Sequence, residues 1–346
     1  SLLLIAFLPS VFAASPHGTA SFYVSLPQHL RISFTATLVY SCSSRAEEQF
    51  MSSQAPDSWS QRRLSAALGA EITGIRLNTA DAEDIQQVKA LLLEHQVLFF
   101  PGQNLSVDEH VTLGRHFGVL EDHPNLGKDE QTPASIFRLT ASKGGIADEW
   151  HTDITFQKQP AKMSILNMKQ CPEVGGDTMW TNLYRAYEAL SEPMQTLCRS
   201  LSALHDAHPH NHPEQTAIHP VVRVHPETGL PVLYVNEHFT RRIVEMSATE
   251  SEMLLNYLTR FVASPRFTLR YQWQPGTICM WDNRCTQHFV LNDFEGERVI
   301  ERVTIMGDEV HPFEESTLTP YTRAGALSAT SRHDRQLYFH LHPNPS

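Results

Sequence analysis

The sequence is short of positive charge. Its 346 residues include 27 Lys and Arg against 38 Asp and Glu, a formal net charge of −11. Such a surface disfavours phosphate backbones and anionic lipid, so neither nucleic acid nor a membrane is an expected partner. A local cationic pocket for a small anion is still compatible with it. Cysteine is scarce as well. Cys42, Cys171, Cys198, Cys279 and Cys285 are odd in number, widely spaced and form no Cys-x-x-Cys pair. This excludes a disulfide framework and a thiolate zinc site, and leaves reduced, buried thiols in a protein expected to be cytoplasmic. Long apolar runs are missing too. The strongly apolar stretch Leu2 to Ala14 is broken at Pro9 and again at Pro16-His17-Gly18, too early for a membrane span. No internal repeat is present.

Hydrophobic residues at 41% against 19% charged are enough to bury a core in one large domain with extensions. Residues 1–50 read as a separate leader, fragmentary or wrongly assigned, because Met51-Ser52-Ser53-Gln54 is a natural start of translation. A secretory signal is the alternative, since Val11-Phe12-Ala13 faintly resembles a cleavage site. Residues 51–312 then form the working domain, and residues 313–346, rich in Pro, His and Thr, a polar peripheral tail.

Within the domain, Gly69 to Ile75 alternates like a strand. Thr79 to His95 has helical spacing, with Ile85, Val88, Leu91 and Leu92 on one face. Val97 to Phe100 is a buried strand ended by Pro101-Gly102. Ser106 with Glu109, and Ser247 with Glu250, are capping boxes that open helices. Helices are predicted over Leu183–Leu190 and Pro193–Leu204, and a histidine- and proline-rich loop over His205–His219. His205, His208, His210 and His212 in that loop lack the carboxylate or cysteine spacing of a metal site and read as solvated. Strands are predicted at Ala161–Lys169, Val232–Val235, Phe267–Trp273, Thr277–Trp281 and Val299–Met306. The fold class expected is mainly β with flanking helices (α+β), a double-stranded β-helix or jelly roll.

The stretch Glu149-Trp150-His151-Thr152-Asp153-Ile154-Thr155-Phe156 concentrates the chemistry. In extended backbone, residues two apart share a face, so His151 and Asp153 project together. Alone, His-x-Asp is a weak signal. His288, after Trp281-Asp282-Asn283-Arg284-Cys285-Thr286-Gln287, supplies the third ligand of a two-histidine, one-carboxylate arrangement. Arg298, Arg302 and Thr178 in Gly175-Gly176-Asp177-Thr178 strengthen that reading.

Five blocks in order then carry a resemblance: Trp-His-Thr-Asp-Ile-Thr-Phe, Gly-Gly-Asp-Thr-Met-Trp, Ile-His-Pro-Val-Val-Arg-Val-His-Pro, Tyr-Val-Asn-Glu-His-Phe-Thr-Arg-Arg-Ile and Trp-Asp-Asn-Arg-Cys-Thr-Gln-His. From about residue 65 to residue 310 the sequence resembles the Fe(II)/2-oxoglutarate-dependent dioxygenases of the taurine dioxygenase (TauD/TfdA) family. The resemblance implies that His151, Asp153 and His288 bind Fe(II), with 2-oxoglutarate and O2 as co-substrates. It implies that Arg298 and Thr178 bind 2-oxoglutarate; a planar guanidinium suits its distal carboxylate. Arg302 and the loop residue His123 match groups that grip an anionic head. Ile154 matches a residue whose backbone amide faces that head, and Phe239 an aromatic wall. Family members suggest a dimer or tetramer.

Taurine itself fits poorly. Where taurine-specific members place an Asp-Asn pair and a Tyr, this chain has Ile146, Ala147 and Leu126, which leave a buried ammonium unpaired. The expected substrate is a small organosulfur anion on an apolar chain, an alkyl sulfonate or alkyl sulfate, oxidised to an aldehyde with release of sulfite or sulfate. A carboxylate such as an aryloxyalkanoate is the alternative, and a jelly-roll binding protein without catalysis the reading from another class.

Overall fold

The structure, a computed structural model, describes residues 59–121, 135–140, 147–321 and 332–341. The expectations placed on residues 1–50, His123, Leu126 and Ile146 lie outside the described residues. In chain order the elements are β1 (Ser60–Arg63), β2 (Ala70–Thr73), α1 (Ala82–His95), β3 (Val97–Phe100), α2 (Val107–Arg115), β4 (Phe137–Thr140) and β5 (Ala161–Gln170). Next come β6 (Thr178–Asn182), α3 (Leu183–Glu188), α4 (Glu192–Arg199), β7 (Ser202–Ala207), β8 (His212–Pro220), β9 (Val222–Val224), β10 (Pro231–Leu233) and β11 (Thr240–Ile243). The last are α5 (Ala248–Val262), β12 (Thr268–Tyr271), β13 (Ile278–Asp282), β14 (Thr286–Val290), β15 (Val299–Met306) and α6 (Arg332–Leu341). Among the described residues no helix is long and apolar enough to cross a membrane.

Local chemistry starts the helices where expected. Asp81 and Asp84 cap α1 reciprocally, Ser106 and Glu109 cap α2, and Ser247 and Glu250 cap α5. Each box satisfies two end groups that would otherwise lack partners.

A seven-stranded sheet runs in the order β1-β2-β3-β13-β5-β15-β4, antiparallel except for β2 beside β3. Its side chains alternate between two cores. Leu98, Phe100, Met163, Ile165, Ile278, Met280, Val303 and Ile305 pack against Ile85, Val88, Leu91 and Leu92 of α1 and Val111 and Leu113 of α2. The opposite face offers Val97, Phe99, Leu166, Met168, Cys279, Trp281 and Ile300 to Trp180, Leu269, Tyr271 and Trp273 from the neighbourhood of a second sheet, ordered β12-β6-β14. Phe99 stacks on Tyr271 with centroids 3.7 Å apart, and Trp180 lies 6.0 Å from both Trp273 and Trp281. Removing one such buried aromatic costs about 3–5 kcal/mol. The sheet is apolar on both faces, which is why β3 and β13 read as continuous apolar runs. Polar positions on the second face, Ser164 and Arg302, are therefore exceptions with a purpose.

Two expectations are corrected here. The helix predicted to reach Leu204 ends at Arg199, and Ser202–Ala207 is strand. Leu197, Leu201 and Leu204 mimic helical spacing, but β7 is held between β8 and β11, and this pairing overrides the local pattern. The supposed loop His205–His219 is mostly the β7–β8 hairpin, with Ala203↔His219 and His205↔Ala217 in register. The tail also contains structure: α6 buries Leu337 against Leu204 and Val244, while Gln336 Nε2 donates to Asp206 Oδ2 (3.0 Å) and Pro213 O (2.8 Å).

Candidate active site

His151 and His288 meet as opposed residues of a one-pair β-bridge. His151 N–H donates to His288 O (3.1 Å) and His288 N–H to His151 O (2.8 Å). This pairing sets the imidazoles side by side, with ring centroids 4.0 Å apart. β14 fixes His288 from the other side, opposite Trp180 of β6. After His151 the chain leaves extended geometry and turns, with Gln157 N–H donating to Ile154 O (3.0 Å). The expected strand-like presentation of His151 and Asp153 is thus replaced by a bridge followed by a turn. The turn still brings Asp153 Oδ1 to 3.9 Å from His151 Nε2 and 4.0 Å from His288 Nε2. All three side chains are buried.

His151 Nδ1–H donates to Glu149 O at 2.8 Å, which leaves the Nε2 lone pair facing Asp153. Burial pushes His151 down to about 4 and His288 well below its ordinary value, so both rings are neutral donors at neutral pH. For Asp153, burial acts upward, but Arg302, His288, His151 and the Ser164 hydroxyl together hold the carboxyl well below its usual range. Two neutral imidazoles and one ionised carboxylate, with donor atoms within 4.8 Å of one another, suit a divalent non-haem iron.

The second oxygen of Asp153 is held separately. Ser164 Oγ–H donates to Oδ2 (2.8 Å), and Asn283 Nδ2 donates to Oδ2 (3.3 Å) and to Ser164 Oγ (3.0 Å). Asn283 is oriented in turn by accepting from Trp281 Nε1 at 2.9 Å. Sequence reasoning missed both residues as site residues. Asn283 had a signal, since it sits inside the Trp-Asp-Asn-Arg block; Ser164 had only its polarity within an apolar strand.

Arg302 is closer to the centre than expected: Nη1 donates to Asp153 Oδ1 at 2.8 Å. Its guanidinium lies 5.1 Å over the Phe137 ring. Its Nε is buried without a hydrogen-bond partner among the described residues. A donor left in this state favours an anionic acceptor.

Arg298 is 4% exposed and makes no ion pair among the described residues. Glu301, a carboxylate that could have neutralised it, is engaged with Arg138 and Lys169. Arg298 Nε donates to Gly176 O (3.1 Å) and Nη2 to Thr178 Oγ1 (3.2 Å). Burial lowers its pKa to about 10, so it remains a cation. Thr178 Oγ1 also accepts from Trp273 Nε1 (2.9 Å), leaving the hydroxyl proton free to donate. The Nη1 pair of Arg298 and the Thr178 hydroxyl proton therefore remain available to an anionic acceptor. The Gly175-Gly176 turn makes this possible. Gly175 has φ +80, and a Cβ there would meet Asp293 O at 2.5 Å.

Ile154 and Phe239 fall in one apolar cluster with Phe156, Ala161 and Ala207, and the Phe239 ring is 6.4 Å from His151. Two further residues, His210 and His238, line this side without having been anticipated there. His210 packs 5.5 Å from Phe156 and 5.4 Å from Phe239, and His238 Nδ1 meets Glu149 Oε2 at 2.6 Å.

A second group of donor side chains, His225, Asp282 and Cys285, also lies close together. Its atoms are already committed. His225 Nδ1 accepts from the amides of Glu227 and Thr228, so its Nε2–H donates to Asp282 Oδ2 (3.1 Å). Arg284 neutralises both Asp282 oxygens (2.9 and 2.7 Å), and burial pushes the Cys285 thiol well up. It is a structural network. His205, His208, His210 and His212 form no donor cluster among the described residues, but His205, expected to be solvated, is buried because β7 is paired on both edges.

Residues 60–304 match the family described as "Taurine catabolism dioxygenase TauD, TfdA family". The chain is 38% identical over 270 residues to an alkylsulfatase of Acinetobacter baylyi, covering 71% of this chain and 84% of that protein. It is 33% identical over 292 residues to an alpha-ketoglutarate-dependent sulfate ester dioxygenase of Pseudomonas putida, covering 78% and 93%. A crystal structure of a taurine dioxygenase from Burkholderia xenovorans superposes with a TM-score of 0.67 at 36% identity, covering 73% of this chain and 92% of that one.

Proposed function

This chain belongs to the TauD/TfdA dioxygenase family, and from that premise we propose that it oxidises a small organosulfur anion at the carbon next to its head group. It is a 2-oxoglutarate-dependent dioxygenase that uses Fe(II), 2-oxoglutarate and O2. The observation that carries the reading is the pair of guanidinium groups: among the described residues, Arg298 is buried without a carboxylate partner, and Arg302 stands beside the His151–Asp153–His288 set with a buried donor unmet. Two separate anions are called for. In our reading Arg298 and Thr178 take the distal carboxylate of 2-oxoglutarate, and Arg302 the head group of the substrate.

Fe(II) held by the two histidines and Asp153 supplies, with 2-oxoglutarate, the activation of O2 needed to break a C–H bond. The chain's own work is positional. Ser164 and Asn283 hold one Asp153 oxygen so that the other points at the histidines. Arg298 and Thr178 fix one end of the co-substrate, and Arg302 and the Ile154 amide one end of the substrate. The apolar group of Ile154, Phe156, Ala161, Ala207 and Phe239 excludes water and accepts a hydrocarbon chain. For an alkyl sulfate, 2-oxoglutarate and O2 become succinate and CO2, and the substrate gains one hydroxyl. Cleavage of that hemiacetal-like ester then gives aldehyde, sulfate and a proton.

An alkyl sulfate or sulfonate fits better than taurine because Ala147 and the apolar cluster supply no partner for an ammonium. His123 is kept as an assisting head-group residue. The two-sheet core is read as a jelly roll and residues 51–312 as the dioxygenase domain, with residues 1–50 a leader and residues 313–346 a tail anchored by α6. A homodimer or homotetramer in the cytoplasm completes the reading. The test is a panel of hexyl sulfate, hexanesulfonate, taurine and phenoxyacetate, with 2-oxoglutarate consumption followed beside sulfate, sulfite and glyoxylate release. Sulfate or sulfite from the alkyl substrates is expected. Glyoxylate alone would move the assignment to carboxylates, and no substrate-stimulated turnover at all would favour a binding protein.

A further inference from the structure

Ile154 has φ +49, in the left-handed region. A β-branched residue there is an outlier, held only when its surroundings over-determine it. Its side chain packs in the apolar cluster, while polar side chains hold the turn just beyond it. His219, on β8 and 3% exposed, places Nε2 at 2.9 Å from Thr155 O and 3.0 Å from Gln157 O. Both partners are carbonyl oxygens, so Nε2 carries the proton and one N–H grips the turn just beyond Ile154. Burial lowers His219 to about 4, which keeps that neutral tautomer in place. The Thr155 hydroxyl accepts from Asn236 Nδ2 (3.1 Å) and shares a hydrogen bond with His205 Nδ1 (2.9 Å). The turn is thus fastened by its backbone to His219 and by its side chain to His205 and Asn236.

We propose that His219 is a positioning residue, whose bond to the Thr155 and Gln157 carbonyls holds Ile154 left-handed and so aims its backbone amide at the substrate's anionic head. This rests on the reading of Ile154 as the amide that faces that head. It also gives a task to His219 of the Ile-His-Pro-Val-Val-Arg-Val-His-Pro block, which touches neither the metal set nor the 2-oxoglutarate receptor. Asp153 has its own anchors, Ser164, Asn283 and Arg302, so the clamp serves the substrate side of the turn.

The test uses the full chain with Fe(II) and 2-oxoglutarate under nitrogen, with hexyl sulfate as probe. Binding is read as the change it causes in the visible Fe(II)–2-oxoglutarate band. His219→Phe should weaken hexyl sulfate about tenfold, the size expected when a strained backbone is released. The band itself and the affinity for 2-oxoglutarate should stay as they are. His219→Gln, which can return an N–H near the same place, should recover most of the loss. In the His219→Phe background, Ile154→Gly should bind more tightly than Ile154→Ala, because glycine reaches positive φ without strain. A substrate-free readout stands beside this one and leaves His219 intact. Ile154→Gly should melt at a higher temperature than Ile154→Ala in the otherwise unchanged chain, and the gap should close in His219→Phe. Alanine as stable as glycine at 154, or unchanged hexyl sulfate affinity in a folded His219→Phe variant, would overturn the clamp. If the unchanged enzyme ignores hexyl sulfate, the substrate assignment falls, and the glycine–alanine comparison alone decides the clamp.

Discussion

Replacing Arg298 by Met should make the ligand-free protein more stable and nearly abolish co-substrate binding. The buried guanidinium has no carboxylate among the described residues, and burial drags its pKa from its ordinary value to about 10. That displacement corresponds to about 3 kcal/mol of uncompensated desolvation in the folded state at neutral pH. Against it stand two hydrogen bonds, to Gly176 O and Thr178 Oγ1, of about 1 kcal/mol each. Methionine fills similar volume without a charge, so the net gain is about 1 kcal/mol, or about 2–4 °C in Tm for a domain of this size. Binding responds in the other direction. Losing a buried, forked contact to a carboxylate costs about 3–5 kcal/mol, so 2-oxoglutarate should bind about two to four orders of magnitude more weakly. The assay is paired: a thermal melt without ligands, and an anaerobic titration of the Fe(II)–2-oxoglutarate band. The opposite signs are the signature. A variant that melts several degrees lower and still binds 2-oxoglutarate would show that Arg298 is an architectural residue, and the receptor reading would fail.

Arg302→Leu removes the cation that competes for Asp153 Oδ1, so Co(II) should bind at least as tightly as before. Hexyl sulfate should bind about thirtyfold or more weakly, which calorimetry on the Co(II) protein would measure. Ser164→Ala takes away the 2.8 Å bond to Asp153 Oδ2 and should lower Co(II) affinity about tenfold to a hundredfold while leaving the far-ultraviolet spectrum intact. His110 is wholly buried on α2, with Nε2 at 3.0 Å from Ile165 O and its pKa lowered by burial to about 4. Between pH 6.5 and 4 the unfolded chain takes up a proton that the folded chain refuses, so stability falls as pH drops through that window. Unfolding free energies from urea melts at pH 7 and pH 4.5 should differ by about 2 kcal/mol less in His110→Phe than in the unchanged protein. An equal difference in both would remove His110 from the account.

How much of this was legible depended on where the information sits along the chain. The donor types and their order are local facts, so His151, Asp153, His288 and Thr178 could be named from the blocks, and Arg298 from its place ten residues after His288. Capping boxes are equally local, and Ser106–Glu109 and Ser247–Glu250 were readable for that reason. The β7–β8 hairpin was lost because its prolines and histidines resemble loop composition, while its strand character comes from pairing with β11 across the sheet. What no local pattern carries is the second layer of the site. Asp153 Oδ2 is held by a serine 11 residues away and an asparagine 130 residues away, and neither shows that contact until the strands are in register. The same holds for Arg302. Its place in β15 was readable, but its grip on Asp153 Oδ1 follows from the turn at Ile154, whose left-handed backbone no isoleucine announces. Donor residues legible in the sequence are therefore aimed by contacts that only the folded chain creates.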